Sequence, residues 1–128
     1  MFDFVTLEQV HLLHQRSLLE HGGSSGVRDH GLIESALGSA QNAFYYGAGD
    51  EFDVAAAYAF HLAESQAFLD GNKRTGLSTA MYFLSRNGHI VRTTPADQAD
   101  LHDAMIAIAK HELDKPGLAA VLRNLFGR

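Results

Sequence analysis

The sequence predicts an all-α fold built as a single domain over residues 1–128, and three observations carry that expectation. Apolar residues recur at three- and four-residue spacing through most of the chain. Capping residues open these segments, and glycine or polar turns close them. The two prolines, Pro95 and Pro116, both stand where a helix would begin, a position that needs no backbone N–H. With 128 residues, 46% of them hydrophobic, the chain is long enough to bury one core. It holds no cysteine, which removes disulfides, thiolate nucleophiles and Cys-type zinc sites together.

Taken in order, Thr6 with Gln9 has the form of a capping box, and Leu7, Val10, Leu13, His14 and Leu18 continue at helical spacing until Gly22 and Gly23. This predicts a first helix over 7–21. Residues 24–27 form a turn, after which Asp29 can cap a second helix with Ile33, Ala36, Leu37, Ala40 and Phe44 on one face. The segment AFYYGAGDEF, residues 43–52, sets aromatics beside glycines and acids and reads as an irregular surface loop or short hairpin. Asp53 then caps an alanine-rich third helix to about Ser65, suited to close packing in the middle of a bundle. A fourth helix runs from Lys73 to Asn87, with Leu77, Ala80, Met81 and Leu84 on its buried side and Gly88 as its stop. Thr94, Pro95 and Asp97 open a fifth, which buries Leu101, Ala104, Met105 and Ile108. The sixth spans Pro116 to Phe126, and a short piece near residues 89–93 is the one plausible strand.

The formal charge of −5 argues against a protein whose main partner is a nucleic-acid backbone. No apolar run approaches the roughly 20 residues of a membrane span. The opening residues lack a basic, apolar and cleavable leader, so a soluble, cytoplasmic protein is expected. The charge is uneven. Ahead of Lys73 the basic residues are Arg16 and Arg28 against ten acids; from Lys73 onward there are eight bases and five acids.

That reversal falls in QAFLDGNKRTG, residues 66–76, which concentrates what an anion site needs. Gly71 permits close backbone approach, Asn72 reads as the helix N-cap, and Lys73 and Arg74 fall in the first turn. A helix N-terminus offers unpaired N–H groups and a partial positive charge. Two cations there disfavour the helix by a few tenths of a kcal/mol each, a cost that phosphate would turn into a gain. The plain alternative pairs both cations with surface acids. Asp70 is placed as a hard oxygen ligand beside the anion site, as a magnesium ion bridging to phosphates requires; its alternative role is a turn-forming Asx bond. Residues 71–78, GNKRTGLS, superficially match a phosphate-binding loop. The match fails at Leu77, which stands in the lysine position, and in context, because an alanine-rich helix rather than a strand precedes it. His11 and His14 share a face of the first helix, and they, His102 and His111 accompany no metal motif, so they read as solvated or hydrogen-bonded.

The segment resembles the core motif of the Fic/Doc (Fido) family, H-x-F-x-[D/E]-[G/A]-N-[G/K]-R, through Phe68, Asp70, Gly71, Asn72, Lys73 and Arg74. The N-K-R-T form, the upstream GVRDHGLIESAL and the FLSRNGH that closes helix four resemble the Doc, or death-on-curing, branch. The resemblance covers nearly the whole chain and implies a Fido-type bundle of about six helices with a short flap at residues 43–52. It also implies a toxin that transfers phosphate from ATP, with magnesium, to a Ser or Thr hydroxyl of a translation factor, elongation factor Tu, and that is neutralised by a Phd-like antitoxin. Asp70 and Asn72 would help hold metal and phosphates, Lys73, Arg74 and the backbone at Gly71 would cradle the anion, and Phe68 would anchor the core. One position departs: Gln66 stands where the family has its histidine. An amide cannot take a proton at ordinary pH, and general-base assistance is typically worth about 10² to 10⁴ in rate. Glutamine can still orient a nucleophile in a reaction governed by positioning, and Glu64 and His61 are the nearby alternative bases. The resemblance therefore leaves open an active kinase, an inactive binding module and an AMP-transferring enzyme.

Overall fold

The computed structural model describes residues 1–47 and 49–127. Six helices follow one another: α1 (Leu7–His21), α2 (His30–Tyr45), α3 (Glu51–Ser65), α4 (Asn72–Arg86), α5 (Pro95–Ala109) and α6 (Lys115–Phe126). The all-α expectation holds. Thr6 and Gln9 close the expected capping box, Asp29 caps α2, and Thr94 pairs reciprocally with Asp97 at the head of α5.

The middle of the bundle is α3. Nine of its residues are buried, among them Val54, five alanines from Ala55 to Ala63 and Tyr58. A helix apolar on every side must be surrounded, and α2, α4 and α6 pack against it while α1 lies on α4 and α5 closes the far side. The approach of α4 is closest at Gly76, where an added Cβ would lie 2.7 Å from the carbonyl oxygen of Ala59. The Tyr58 hydroxyl, deep in the core, accepts the Val5 N–H at 3.0 Å, and burial pushes its pKa up to about 12. The N-terminal strip is held over the aromatic cluster of Phe2, Phe4, Phe44 and Phe83. Asn87 clamps it, accepting the Asp3 N–H and donating to the Asp3 carbonyl.

Four local expectations are corrected. The loop or hairpin expected over 43–52 is shorter: α2 runs on to Tyr45, with the Tyr46 N–H still bonded to the Asn42 carbonyl, and Ala48 within it lies outside the described residues. Asp50, not Asp53, is the N-cap of α3; Asp53 is the third helical residue and returns a side-chain bond to the Asp50 N–H. Gly71, not Asn72, is the cap position of α4. Residues 89–93 form no strand and pair with no partner strand among the described residues; His89 meets Glu51 at 3.1 Å. Among the described residues one isolated antiparallel bridge, Val27 with Phe68, is formed.

The Gly76 contact gives a direct test. Gly76→Ala forces backbone against a methyl and is expected to destabilise the fold by about 1–3 kcal/mol, despite alanine's better helix propensity. Urea unfolding should show a lower midpoint with an unchanged slope.

Candidate active site

The residues between α3 and α4 are fixed by three sets of contacts. Gln66 ends α3 in the left-handed conformation, φ 50° and ψ 39°, a strained choice for a residue with a Cβ. Ala67 and Phe68 then plunge into the core. The Ala67 carbonyl accepts the N–H groups of Arg28 and Asp29, and the Leu69 N–H donates to the Gly26 carbonyl, so residues 26–29 run alongside residues 67–69. From the other side His14, itself buried, stacks on Phe68 with ring centroids 3.8 Å apart. Its Nε2–H donates to the Asp70 carbonyl at 2.9 Å.

The side chain of Asn72 folds back on the loop. Its Oδ1 accepts the Phe68 N–H and its Nδ2 donates to the Phe68 carbonyl, both at 3.0 Å. Both ends of the amide are thereby occupied inside the protein. Asn72, expected to help hold metal and phosphates, thus locks the loop with its side chain, and its backbone N–H is left for a ligand.

The head of α4 differs from the other helix starts. Thr6, Asp29, Asp50, Thr94 and Asp114 each cap their helix with a side-chain oxygen, whereas Gly71, at φ 77°, caps α4 with none. The first intrahelical bond is Thr75 N–H to Gly71, so the N–H groups of Asn72, Lys73 and Arg74 have no acceptor among the described residues. Lys73 and Arg74 are exposed and make no ion pair with any described residue. The surface-pairing alternative for these two cations is therefore not realised.

Asp70 lies just ahead of this helix start. Its Oδ1 accepts the Gly71 N–H at 2.9 Å and its Oδ2 accepts the Ser24 N–H at 3.2 Å. The Ser24 and Gly71 bonds, with Arg74 and His14 adding attraction, hold its carboxyl below the usual carboxylate range. An ionised carboxylate accepts about four bonds, so lone pairs remain for a ligand. A magnesium ion bound by one carboxylate, with phosphate and water oxygens completing its shell, fits such a site; among the described residues no cluster of three acidic, His or Cys ligands exists to hold a metal alone.

These groups open on one cavity of about 860 Å³, large enough for a nucleotide-sized ligand. Gln66, Asp70, Gly71, Asn72, Lys73 and Arg74 all line it, so the structure brings together every site residue that the sequence predicted. Glu64 joins them. His61 does not: its ring faces Lys115 at 3.1 Å, and burial followed by that ammonium lowers its pKa. No described residue of the 43–52 segment reaches the cavity. His21, His102 and His111 line it without any motif having marked them, and His14 and Ser24 hold the loop from elements far away in sequence. No local pattern points to such residues; the fold alone assembles them.

Comparisons with known proteins show the family. The model of the Fic/DOC family matches residues 4–84, from the start of the chain to the last turn of α4. The chain belongs to the Fic/DOC family. Within it the chain falls in the Doc branch: it is 34% identical over 124 residues to the "Protein kinase doc" of Escherichia phage P1, covering 96% of this chain and 95% of the phage protein. It is also 37% identical over 105 residues to "Toxin Doc" of Mycolicibacterium smegmatis, covering 79% and 78% of the two chains.

Two outcomes follow for the loop. Asn72→Ala leaves the Phe68 N–H and carbonyl without partners and is expected to cost about 1–3 kcal/mol of stability, read from thermal or urea unfolding. Asp70 contributes through its depressed pKa. That stabilisation is full above the ordinary aspartate value near 3.9 and is lost as pH falls through the lower folded value. Asp70→Asn should therefore flatten the acid limb of the stability profile below about pH 4.

Proposed function

We propose that this protein is a Doc-type toxin that transfers the γ-phosphate of ATP to a Ser or Thr hydroxyl of a translation factor, elongation factor Tu being the expected target, and that a Phd-like antitoxin neutralises it. The uncapped head of α4 is the observation that carries this reading. Three free backbone N–H groups and two unpaired cations converge on one cavity beside an ionised carboxylate, an arrangement suited to a polyphosphate. In this reading the amides of Asn72, Lys73 and Arg74, with the Lys73 and Arg74 side chains, hold the phosphates. Asp70 would hold magnesium, which supplies charge neutralisation at the transferring group. Phosphate transfer, rather than AMP transfer, follows from Lys73, which stands where AMP-transferring relatives commonly have glycine. The name of the phage relative, a protein kinase, supports the same choice.

Gln66 favours a second reading, in which the chain binds its partners but transfers nothing. Its side chain lines the cavity at the position of the motif histidine and cannot take a proton there. Incubating the protein with a bacterial lysate and ATP labelled at either the α- or γ-phosphate separates the readings. Label arriving from γ alone supports the kinase; label from α alone identifies AMP transfer; label from neither leaves the binding module. Arg74→Ala removes one of the two cations at the head of α4 and should lower transfer at least 10²-fold, about 2.7 kcal/mol of transition-state stabilisation.

A further inference from the structure

Two non-glycine residues among those described have a positive φ, Gln66 at 50° and His111 at 60°. Both line the same cavity. His111 follows Lys110, the C-cap of α5, and the turn closes with the Glu112 N–H on the Ala107 carbonyl at 2.8 Å and the His111 N–H on Ile108 at 3.0 Å. This is the left-handed position past a helix end that glycine ordinarily fills. A histidine there accepts backbone strain, and strained residues gather at functional sites.

The strain has a geometric consequence. His102, Ile106 and Ala109 form the stripe of α5 that faces the cavity. Continued helix would turn residue 111 about 200° from Ala109, away from that face. The left-handed turn returns it to the cavity.

The ring of His111 is also free. Among the eight histidines, His14 bonds Asp70, His21 meets Glu20, His61 meets Lys115, His89 meets Glu51, and His11 faces His30. His102 and His111 have no ring partner among the described residues, and both open on the cavity that holds Gln66. A neutral imidazole offers an acceptor nitrogen at physiological pH, which the amide of Gln66 does not.

We propose that His111 is the proton acceptor of this site, supplying from the end of α5 the function that Gln66 cannot. The inference rests on the phosphate-transfer reading above. In the step it serves, the attacking hydroxyl gives its proton to the free ring nitrogen as its oxygen bonds to the γ-phosphorus. The bond from that phosphorus to the bridging oxygen breaks, ADP departs with the electron pair, and the imidazolium releases its proton to water. The charged and titratable groups that line the same cavity as His111 are His21 of α1, Glu64 of α3, Asp70 of the loop, Lys73 and Arg74 of α4, and His102 of α5.

The test measures transfer of γ-label from ATP to a bacterial lysate by the full chain and by H111N, H111G, H102N, Q66H and the Q66H/H111N double variant, each with its thermal unfolding. Asparagine tolerates the left-handed conformation, so H111N keeps the turn and removes the base. Transfer is expected to fall about 10²-fold or more in H111N, to persist in H102N, and to return in the double variant, where a histidine stands again at the motif position. H111G should unfold at a higher temperature than wild type while showing the same loss of transfer. Undiminished transfer by H111N, or loss in H102N instead, overturns the proposal. So does a double variant that stays inactive while Q66H is active, because His111 would then serve the structure rather than the proton. Transfer by Q66H but not by wild type also overturns it while leaving the phosphate-transfer reading standing; no transfer by either removes both.

Discussion

The contact between α3 and α4 at Gly76 is the constraint on which the rest depends. A glycine facing the Ala59 backbone lets the two axes approach more closely than any Cβ permits. This sets the N-terminus of α4, and with it the anion site, against a fully buried helix. The alanine run of α3 is the other half of the same solution, since small side chains on every face allow α2, α4 and α6 to close around it. Placement of the loop between α3 and α4 thus follows from steric fit between two helices, before any polar contact is counted.

The loop is then locked by backbone bonds rather than by its own regular structure. Residues 26–29 supply donors and an acceptor to residues 67–69, His14 holds the Asp70 carbonyl, and Asn72 closes both polar groups of Phe68. Apart from Gly71 and Asn72, the hydrogen-bond partners of this short segment come from the first quarter of the chain. The result is a rigid turn whose remaining free groups, three N–H donors and two cations, all belong to the first turn of α4. Preorganised donors of this kind lose little entropy when an anion arrives, which is what the proposed phosphate site would require in a chain of net charge −5.

Much of this was legible in the residues. Helical period, capping pairs and two well-placed prolines gave six helices, and the boundaries of α1 were readable from Thr6, Gln9 and Gly22 alone. Misreadings occurred where two local signals competed. Asp50 and Asp53 are both good caps, and reciprocal bonding decided between them. The aromatics of 43–46 looked like loop, yet Phe44 packs on Phe2 and Phe4, and that burial extends α2. Asn72 reads as a cap from its residue type, but Gly71 takes the left-handed cap position and frees the amide to lock Phe68.

By itself the sequence determined the class of fold, the resemblance carried by Phe68 to Arg74 and the glutamine at position 66, because periodicity, turn chemistry and residue identity are local properties. Tertiary structure alone decided which distant groups share the site. His14 and Ser24 reach the loop from the first two dozen residues, and His102 and His111 reach the cavity from α5 and its end. These juxtapositions depend on how closely α4 packs on α3 and on one left-handed turn after Lys110. Packing and backbone handedness act through space, and no spacing along the chain records them.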